Sequence, residues 1–288
     1  MLNQEVSLEL RARLALERCD FRAAHSLGQN FILDESFLDT LLTAAGLEET
    51  DHVLEIGPGP GILTVLTAAC AERVLSLEVD EKLRPVLDIM LEGCENAEVV
   101  FMDAMKADIA TLVRERLGVP YRVIANLPYY ITADVILRML SVRPLPQSLC
   151  LMVQKEAADR MMSQPGDGNW CALAAIINYY GSCRVLADVP PERFNPPPHV
   201  DSRFIRIDVR EQRLMPENDD SAFVKLAKCC FHMRRKTLAN NLKACYGLTQ
   251  AETAKALEAA GLDARVRGEA LTLEQIAQLC HILNDVRS

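Results

Sequence analysis

The stretch richest in chemistry is Asn126-Leu127-Pro128-Tyr129, which ends the apolar run Val123–Ala125. Such a run reads as a buried parallel strand, and ligands of open α/β sheets sit beyond the carboxyl ends of strands. Asn126 then points its amide into a cleft. Pro128 stiffens the turn and biases Leu127 toward extended backbone, which leaves the Leu127 carbonyl free beside the Asn126 side-chain oxygen. Two neighbouring acceptors suit a nitrogen that carries two protons, such as the exocyclic amine of adenine. Tyr129 and Tyr130 offer faces for stacking on its ring. The same residues also fit a plain strand, a turn and a few core aromatics. Phe194, in Arg-Phe-Asn-Pro-Pro-Pro, lies on a proline-braced loop. It reads either as a second stacking face or as a loop anchor in the core.

Three other strand ends carry candidate ligands. Val53–Ile56 runs directly into Gly57-Pro58-Gly59-Pro60-Gly61, and a helix starts near Ile62. Strand, glycine turn and helix form a phosphate- or nucleoside-binding unit of a Rossmann-like sheet. The spacing is G-x-G-x-G, and prolines remove amide donors where a pyrophosphate would need them. An uncharged nucleoside tolerates that loss, which favours S-adenosylmethionine over NAD. The next strand, from Val74, ends in Glu78-Val79-Asp80, where a carboxylate can accept both ribose hydroxyls. A third unit, Glu98–Phe101, leads into Met102-Asp103. Asp103 is placed to accept from a nucleoside's adenine amine, although alone such a residue is more often a helix cap than a ligand.

The elements that position these residues follow from periodicity and punctuation. Residues 1–21 form an amphipathic helix with Ser7 as a cap, expected to pack on the main domain through Val6, Leu10 and Leu14. Helices are expected at about 34–45, 132–140, 155–162 and 170–180, with a further strand at Ser148–Val153. The last two strands, near 184–189 and 203–209, have no helix between them because five prolines intervene. They should form an antiparallel pair that closes the sheet. A polar linker follows from about 211, and the pattern is helical thereafter. The division is 1–210 (with 1–24 a helical extension) and 211–288.

Composition narrows the class. The chain has 288 residues, half of them hydrophobic, and a net charge of −9. No apolar run is long enough for a membrane span, and no secretory signal pattern opens the chain. Ten scattered cysteines without a Cys-x-x-Cys or a Cys/His cluster read as reduced core residues, with no metal expected. Against the acidic background, 221–250 contains six Lys/Arg and no acid. There Arg234, Arg235 and Lys236, with Asn240 and Asn241, form a basic cluster. Such a run is either a solvated helix face or a contact surface for phosphates.

In combination these segments resemble the rRNA adenine-N6 dimethyltransferase family of the KsgA type. The matches are SLGQNF (26–31), LEIGPGPG (54–61), LEVD (77–80), Asp103-Ala104, NLPYY (126–130), VQKE (153–156), FNPPPHVDS (194–202) and RRKTLANNL (234–242). The resemblance implies a seven-stranded, Rossmann-like S-adenosylmethionine methyltransferase domain with a small all-α, RNA-binding C-terminal domain. It implies cofactor contacts from Asn30, Ile32, Gly57, Glu78, Asp103 and Asn126. Catalysis is expected from Asn126, Leu127, Pro128, Tyr129 and Phe194, and RNA contacts from Arg234, Arg235 and Lys236. The implied reaction is dimethylation of two adjacent adenosines near the 3′ end of small-subunit rRNA during ribosome biogenesis. The protein would be a cytoplasmic monomer whose partner is the immature small subunit. Two positions depart from the family pattern: His25 replaces a common lysine, and Trp170-Cys171 stands where Tyr and Gly are usual. Alternatives are a large-subunit adenine dimethyltransferase of the antibiotic-resistance type, a DNA adenine methyltransferase and a mainly non-catalytic ribosome-assembly factor. The glycine-loop spacing makes a dehydrogenase the weakest of them.

Overall fold

The structure is a computed structural model that describes residues 6–23, 28–212, 215 and 219–285. In chain order the elements are α1 (Leu8–Arg18), β1 (Phe31–Ile32), α2 (Glu35–Ala45), β2 (His52–Ile56), α3 (Ile62–Cys70), β3 (Arg73–Glu78) and α4 (Arg84–Met90). Then follow β4 (Ala97–Phe101), α5 (Ile109–Leu112), β5 (Arg122–Asn126), α6 (Thr132–Ser141), β6 (Ser148–Gln154), α7 (Lys155–Met161) and α8 (Ala172–Tyr180). The chain continues with β7 (Gly181–Val189), β8 (Phe194–Asn195), β9 (Ser202–Val209), α9 (Asp220–Cys230), α10 (Leu238–Tyr246), α11 (Gln250–Ala259) and α12 (Leu273–Asp285). Two compact units divide these elements: Met1–Ala158 with Arg184–Val209, and Asp159–Cys183 with Arg210–Ser288.

Seven strands form one sheet in the order β4-β3-β2-β5-β6-β9-β7, and β1 and β8 form a separate two-stranded ribbon. Strands β4 to β6 run parallel, and β9 runs antiparallel to β6. The inner parallel strands β2, β3, β5 and β6 are buried almost end to end because crossover helices cover the sheet, so they read as nearly continuous apolar runs, whereas the edge strand β4 is only half-buried. The last-formed strand, β9, lies inside the sheet and β7 takes the edge. A single 3₁₀ turn, Pro191–Arg193, does fit between β7 and β8, contrary to the expectation from the prolines. Pro191 occupies its first position, where a missing N–H costs no bond.

Helix α1 departs from expectation in its orientation. Ser7 caps it, with its hydroxyl accepting from the Leu10 amide. Its packed face, however, is Leu8, Ala12, Ala15 and Leu16, which meet the core. Val6, Leu10 and Leu14 are 57%, 47% and 51% exposed. Both stripes have helical spacing; the alanines win because small side chains permit close approach to α4 and α3. The Arg11 guanidinium adds a hydrogen bond to the Ile89 carbonyl at 2.5 Å.

The second unit is helical. Segment 159–183 belongs with it, whereas a division at 210 would place that segment in the first unit. Buried aromatics explain the grouping. Tyr179 stacks on Phe223 with centroids 3.9 Å apart and donates its hydroxyl to Asp220 Oδ1 at 2.6 Å. Trp170, fully buried, meets Phe231 edge to face at 6.0 Å. The Trp170-Cys171 departure from the family pattern thus includes a core anchor of this unit.

Candidate active site

Register brings the candidate ligands to one level. Ile56 lies opposite Leu77 and Ala125, so Gly57, Glu78 and Asn126 come next on three adjacent strands. Glu78 in turn pairs with Phe101, which places Met102 and Asp103 beside it. The strand order reverses between β2 and β5, where an open α/β sheet leaves a crevice. One pocket of the first unit occupies this place. Asn30, Ile32, Gly57, Glu78, Asp103, Asn126, Leu127, Pro128, Tyr129 and Phe194 all line it.

On one side of the pocket the acids are held by backbone amides. Glu78 is buried; its Oε2 accepts from Gly59 N at 3.2 Å and its Oε1 from Asp80 N at 2.8 Å. Burial pushes its carboxyl above the ordinary range, and the amides of Asp80, Gly59 and Val79 pull it back. Each oxygen keeps lone pairs for hydroxyl donors. Asp80 accepts from Gln29 Nε2 at 2.9 Å, which fastens the segment before β1 to the tip of β3. Asp103 is partly committed, since Oδ1 accepts from Met105 N at 2.9 Å and Oδ2 lies 3.5 Å from Lys106 Nζ. Val79 and Met102, next to the two acids, are exposed and line the pocket with apolar surface.

The glycine loop fits because nothing larger would. Gly57, Gly59 and Gly61 all have left-handed backbone, with φ of 73°, 56° and 91°. A Cβ at Gly59 would stand 2.8 Å from the Phe31 ring. Beneath the loop lies Glu55, fully buried in mid-strand. Its Oε2 accepts from Thr64 Oγ1 and Ser76 Oγ, each at 2.6 Å, while Oε1 has no partner. Burial pushes this carboxyl up to about 7.

The opposite side has the acceptors expected at Asn126. Asn126 Nδ2 donates to the Asn30 carbonyl at 3.0 Å, which fixes the amide with Oδ1 as its unused end. Among the described residues no hydrogen bond reaches the Leu127 carbonyl. Tyr129 is half-buried, and its hydroxyl shares a 2.5 Å hydrogen bond with Oγ of Ser202, the fully buried first residue of β9. Burial pushes the Tyr129 hydroxyl up, so it stays protonated. Phe194 is the core anchor foreseen for it, 4% exposed within the core cluster, and it also lines the pocket. It is held there by the β1–β8 ribbon, in which Ile32 pairs with Phe194 and Phe31 with Asn195. Arg193 clamps the ribbon, 2.5 Å from Asp34 Oδ2 and over the Phe37 ring at 4.5 Å.

The basic cluster belongs to the second unit and is exposed, but it is no helix face. Arg234, Arg235 and Lys236 lie on turns between α9 and α10. Asn241, read as part of that polar cluster, is buried: its Oδ1 accepts from Met233 N and its Nδ2 donates to the Cys230 carbonyl, both at 3.1 Å. It pins the basic turn from within. Ser26, Leu27 and His25 lie outside the described residues, so SLGQNF is seen only from Gly28 onward.

Gln29, Phe31, Val79, Met102 and Ser202 stand inside the segments quoted from the sequence, but no role at the site was expected of them. For Val79 and Met102 a signal existed, because each adjoins a predicted acid at a strand tip. Ser202 and Phe31 matter through partners distant in sequence, so their place in SLGQNF and FNPPPHVDS does not by itself say what they touch.

Comparison with known proteins follows the same outline. Residues 20–285 match the family described as ribosomal RNA adenine dimethylase. A ribosomal RNA small subunit methyltransferase A from Clostridioides difficile is 37% identical over 270 residues, covering 93% of each chain. Its counterpart from Alkaliphilus metalliredigens is 39% identical over 274 residues, covering 93% of this chain and 94% of that one. Among solved structures, a dimethyladenosine transferase from Plasmodium falciparum superposes with a TM-score of 0.71 at 27% identity, over 87% of this chain and 96% of that one. The 23S rRNA methyltransferase ErmE gives 0.63 at 26% identity, over 88% and 100%.

Proposed function

Because the chain belongs to the ribosomal RNA adenine dimethylase family, we propose that it transfers methyl groups from S-adenosylmethionine to N6 of adenosines in small-subunit rRNA. The single observation that carries this reading is the pair of unused acceptors, Asn126 Oδ1 and the Leu127 carbonyl, beside the half-buried ring of Tyr129.

The residues of the pocket fit the cofactor. Glu78 retains acceptor capacity for hydroxyls, Val79 and Met102 present apolar surface for a ring, and the Gly57–Gly61 loop permits close backbone approach. Asn30, Ile32 and Asp103 complete that side. When bound, S-adenosylmethionine supplies an electrophilic methyl group on a sulfonium centre.

The chain's own residues handle the nucleophile. Adenine N6 is a weak nucleophile because its lone pair is delocalised into the ring. Its two protons bond to Asn126 Oδ1 and the Leu127 carbonyl, and both bonds strengthen as the nitrogen gains positive charge. The acceptors therefore favour the transition state over the bound substrate. Tyr129 stacks on the ring, with Phe194 as a second apolar wall, and both hold it in line. Pro128 keeps the turn stiff. The proton leaves N6 after transfer, so no side chain has to act as an initial base. The target base must leave its stack to enter, and Arg234, Arg235 and Lys236 supply phosphate contacts that hold the RNA.

The substrate in the cell is then the maturing small subunit in the cytoplasm. Incubation of the purified protein with immature small subunits and labelled S-adenosylmethionine, followed by mapping of product nucleotides, tests the reading. Label on dimethyladenosines of small-subunit rRNA is expected. Label confined to large-subunit rRNA would establish the antibiotic-resistance-type alternative, and no label would leave an assembly factor.

A further inference from the structure

Tyr130 lines the same pocket as Tyr129 but has no role in the chemistry just derived. It is 65% exposed, the highest value and the one aromatic among the large exposed apolar side chains of the described residues. An exposed aromatic ring beside such a pocket leaves a flat face free for a base to stack on. Yet the ring is not loose. Tyr130 lies in the 3₁₀ turn Tyr129–Ile131, closed by Ile131 N donating to the Pro128 carbonyl at 3.2 Å. One ring edge rests on Gly28, where a Cβ would stand 3.3 Å from Tyr130 Cε1 and 3.1 Å from Pro128 Cβ. Gly28 also has left-handed backbone, with φ of 61°, so the seat suits glycine twice over. The ring thus meets Gly28 along one edge and is otherwise largely exposed, and it lines the same pocket as the more buried Tyr129.

Resting on the functional reading above, we propose that Tyr130 is the stacking platform for the nucleobase adjacent to the target adenine. When the target base leaves its stack, its neighbour loses a stacking partner, and that loss opposes entry. Two consecutive tyrosines, one half-buried and one exposed, answer both needs: Tyr129 receives the extruded base and Tyr130 covers the face left behind. Stacking tolerates any base, because each has a π-face. The contact therefore assists extrusion without reading sequence.

Steady-state and single-turnover methylation of immature small subunits test this, using the full chain and its Tyr130→Ala, Tyr130→Phe and Tyr130→Trp variants. Tyr130→Ala should raise KM for the subunit roughly ten-fold, as the loss of one stacked base implies. Tyr130→Phe and Tyr130→Trp should restore it, and calorimetry should show unchanged affinity for S-adenosylmethionine in all three. On subunits reconstituted with an abasic nucleotide beside the target, on the stacking side, the wild type should lose the same factor and Tyr130→Ala nothing further. Unchanged KM in Tyr130→Ala, weakened cofactor binding, or equal losses on intact and abasic subunits would each overturn the inference. Absence of methyl transfer by the wild type would instead overturn the functional reading, and this inference with it.

Discussion

Asn126 has an amide donor and an amide acceptor, and the fold uses only the donor, on the Asn30 carbonyl. That division makes its oxygen available without reorganisation when N6 becomes cationic. Asn126→Ala should lower the single-turnover methyl-transfer rate by about 10²–10³ at saturating cofactor, on the scale of losing one preorganised transition-state contact. A near-normal rate there would sink the mechanism. Glu55 makes a different kind of statement, about stability. A glutamate in an unfolded chain titrates at about 4.3, whereas burial holds Glu55 at about 7. Between those values the folded protein keeps a proton that the unfolded chain has released, so stability falls as pH rises through this window. The gap corresponds to ~4 kcal/mol once both states are ionised. Glu55→Gln mimics the neutral acid. Its urea midpoint should match wild type near pH 4.5 and exceed it at pH 8.5; equal midpoints at both would show that Glu55 ionises without penalty. Glu55 was not singled out from the sequence, because a lone acid in an apolar strand declares its burial but not its partners. Asn126 was legible, since its position at the end of a buried run fixes where it points.

At the scale of elements, the smallest one is the most consequential. The β1–β8 ribbon has two residues per strand, and it sets both Ile32 and Phe194 against the pocket. Its Phe31 ring fills the space that only glycine leaves at position 59. Gly59→Ala should therefore act twice: about 1–2 kcal/mol of backbone strain from its left-handed conformation, and displacement of Phe31 with the ribbon. Calorimetry should show weakened binding of S-adenosylmethionine, and adding Phe31→Ala should recover part of the affinity. Strictly additive losses would mean that the ring and the loop are not in contention. Nothing in the sequence announced this ribbon, as two-residue strands lack a period and their pairing is long-range. The core strands were legible for the opposite reason: Val53–Ile56 and Val123–Ala125 are buried on both faces, so burial is written in consecutive residues. Helix α1 shows the intermediate case. Periodicity identified the helix, but two stripes had the same spacing, and only packing selected the alanines.

For the molecule as a whole, charge and chemistry are assigned to different units. A net charge of −9 hides an exposed basic turn, Arg234-Arg235-Lys236, in the helical unit, while the pocket lies wholly within the other. Replacing all three by Gln should leave cofactor affinity intact and weaken binding to the small subunit. The salt dependence should become shallower by up to about 2 in log–log slope, because fewer phosphates are neutralised and fewer counterions released. Filter binding across a salt series checks this, with the fluorescence of Trp170 reporting that the helical unit still folds. An unchanged slope would make the turn a solvated surface. The basic residues were legible as a cluster. That they lie on a turn was not, because the buried bonds of Asn241 to Met233 and Cys230 are tertiary. The place of β9, between β6 and β7, also imposes a timetable on synthesis. A growing chain makes β7 before the strand that separates it from β6, so β6 waits with an unpaired edge until β9 leaves the exit tunnel. Ser202, which holds Tyr129, is the first residue of that strand. A chain that stops short of β9 therefore lacks the partner of the Tyr129 hydroxyl, although every residue that lines the pocket has already been made.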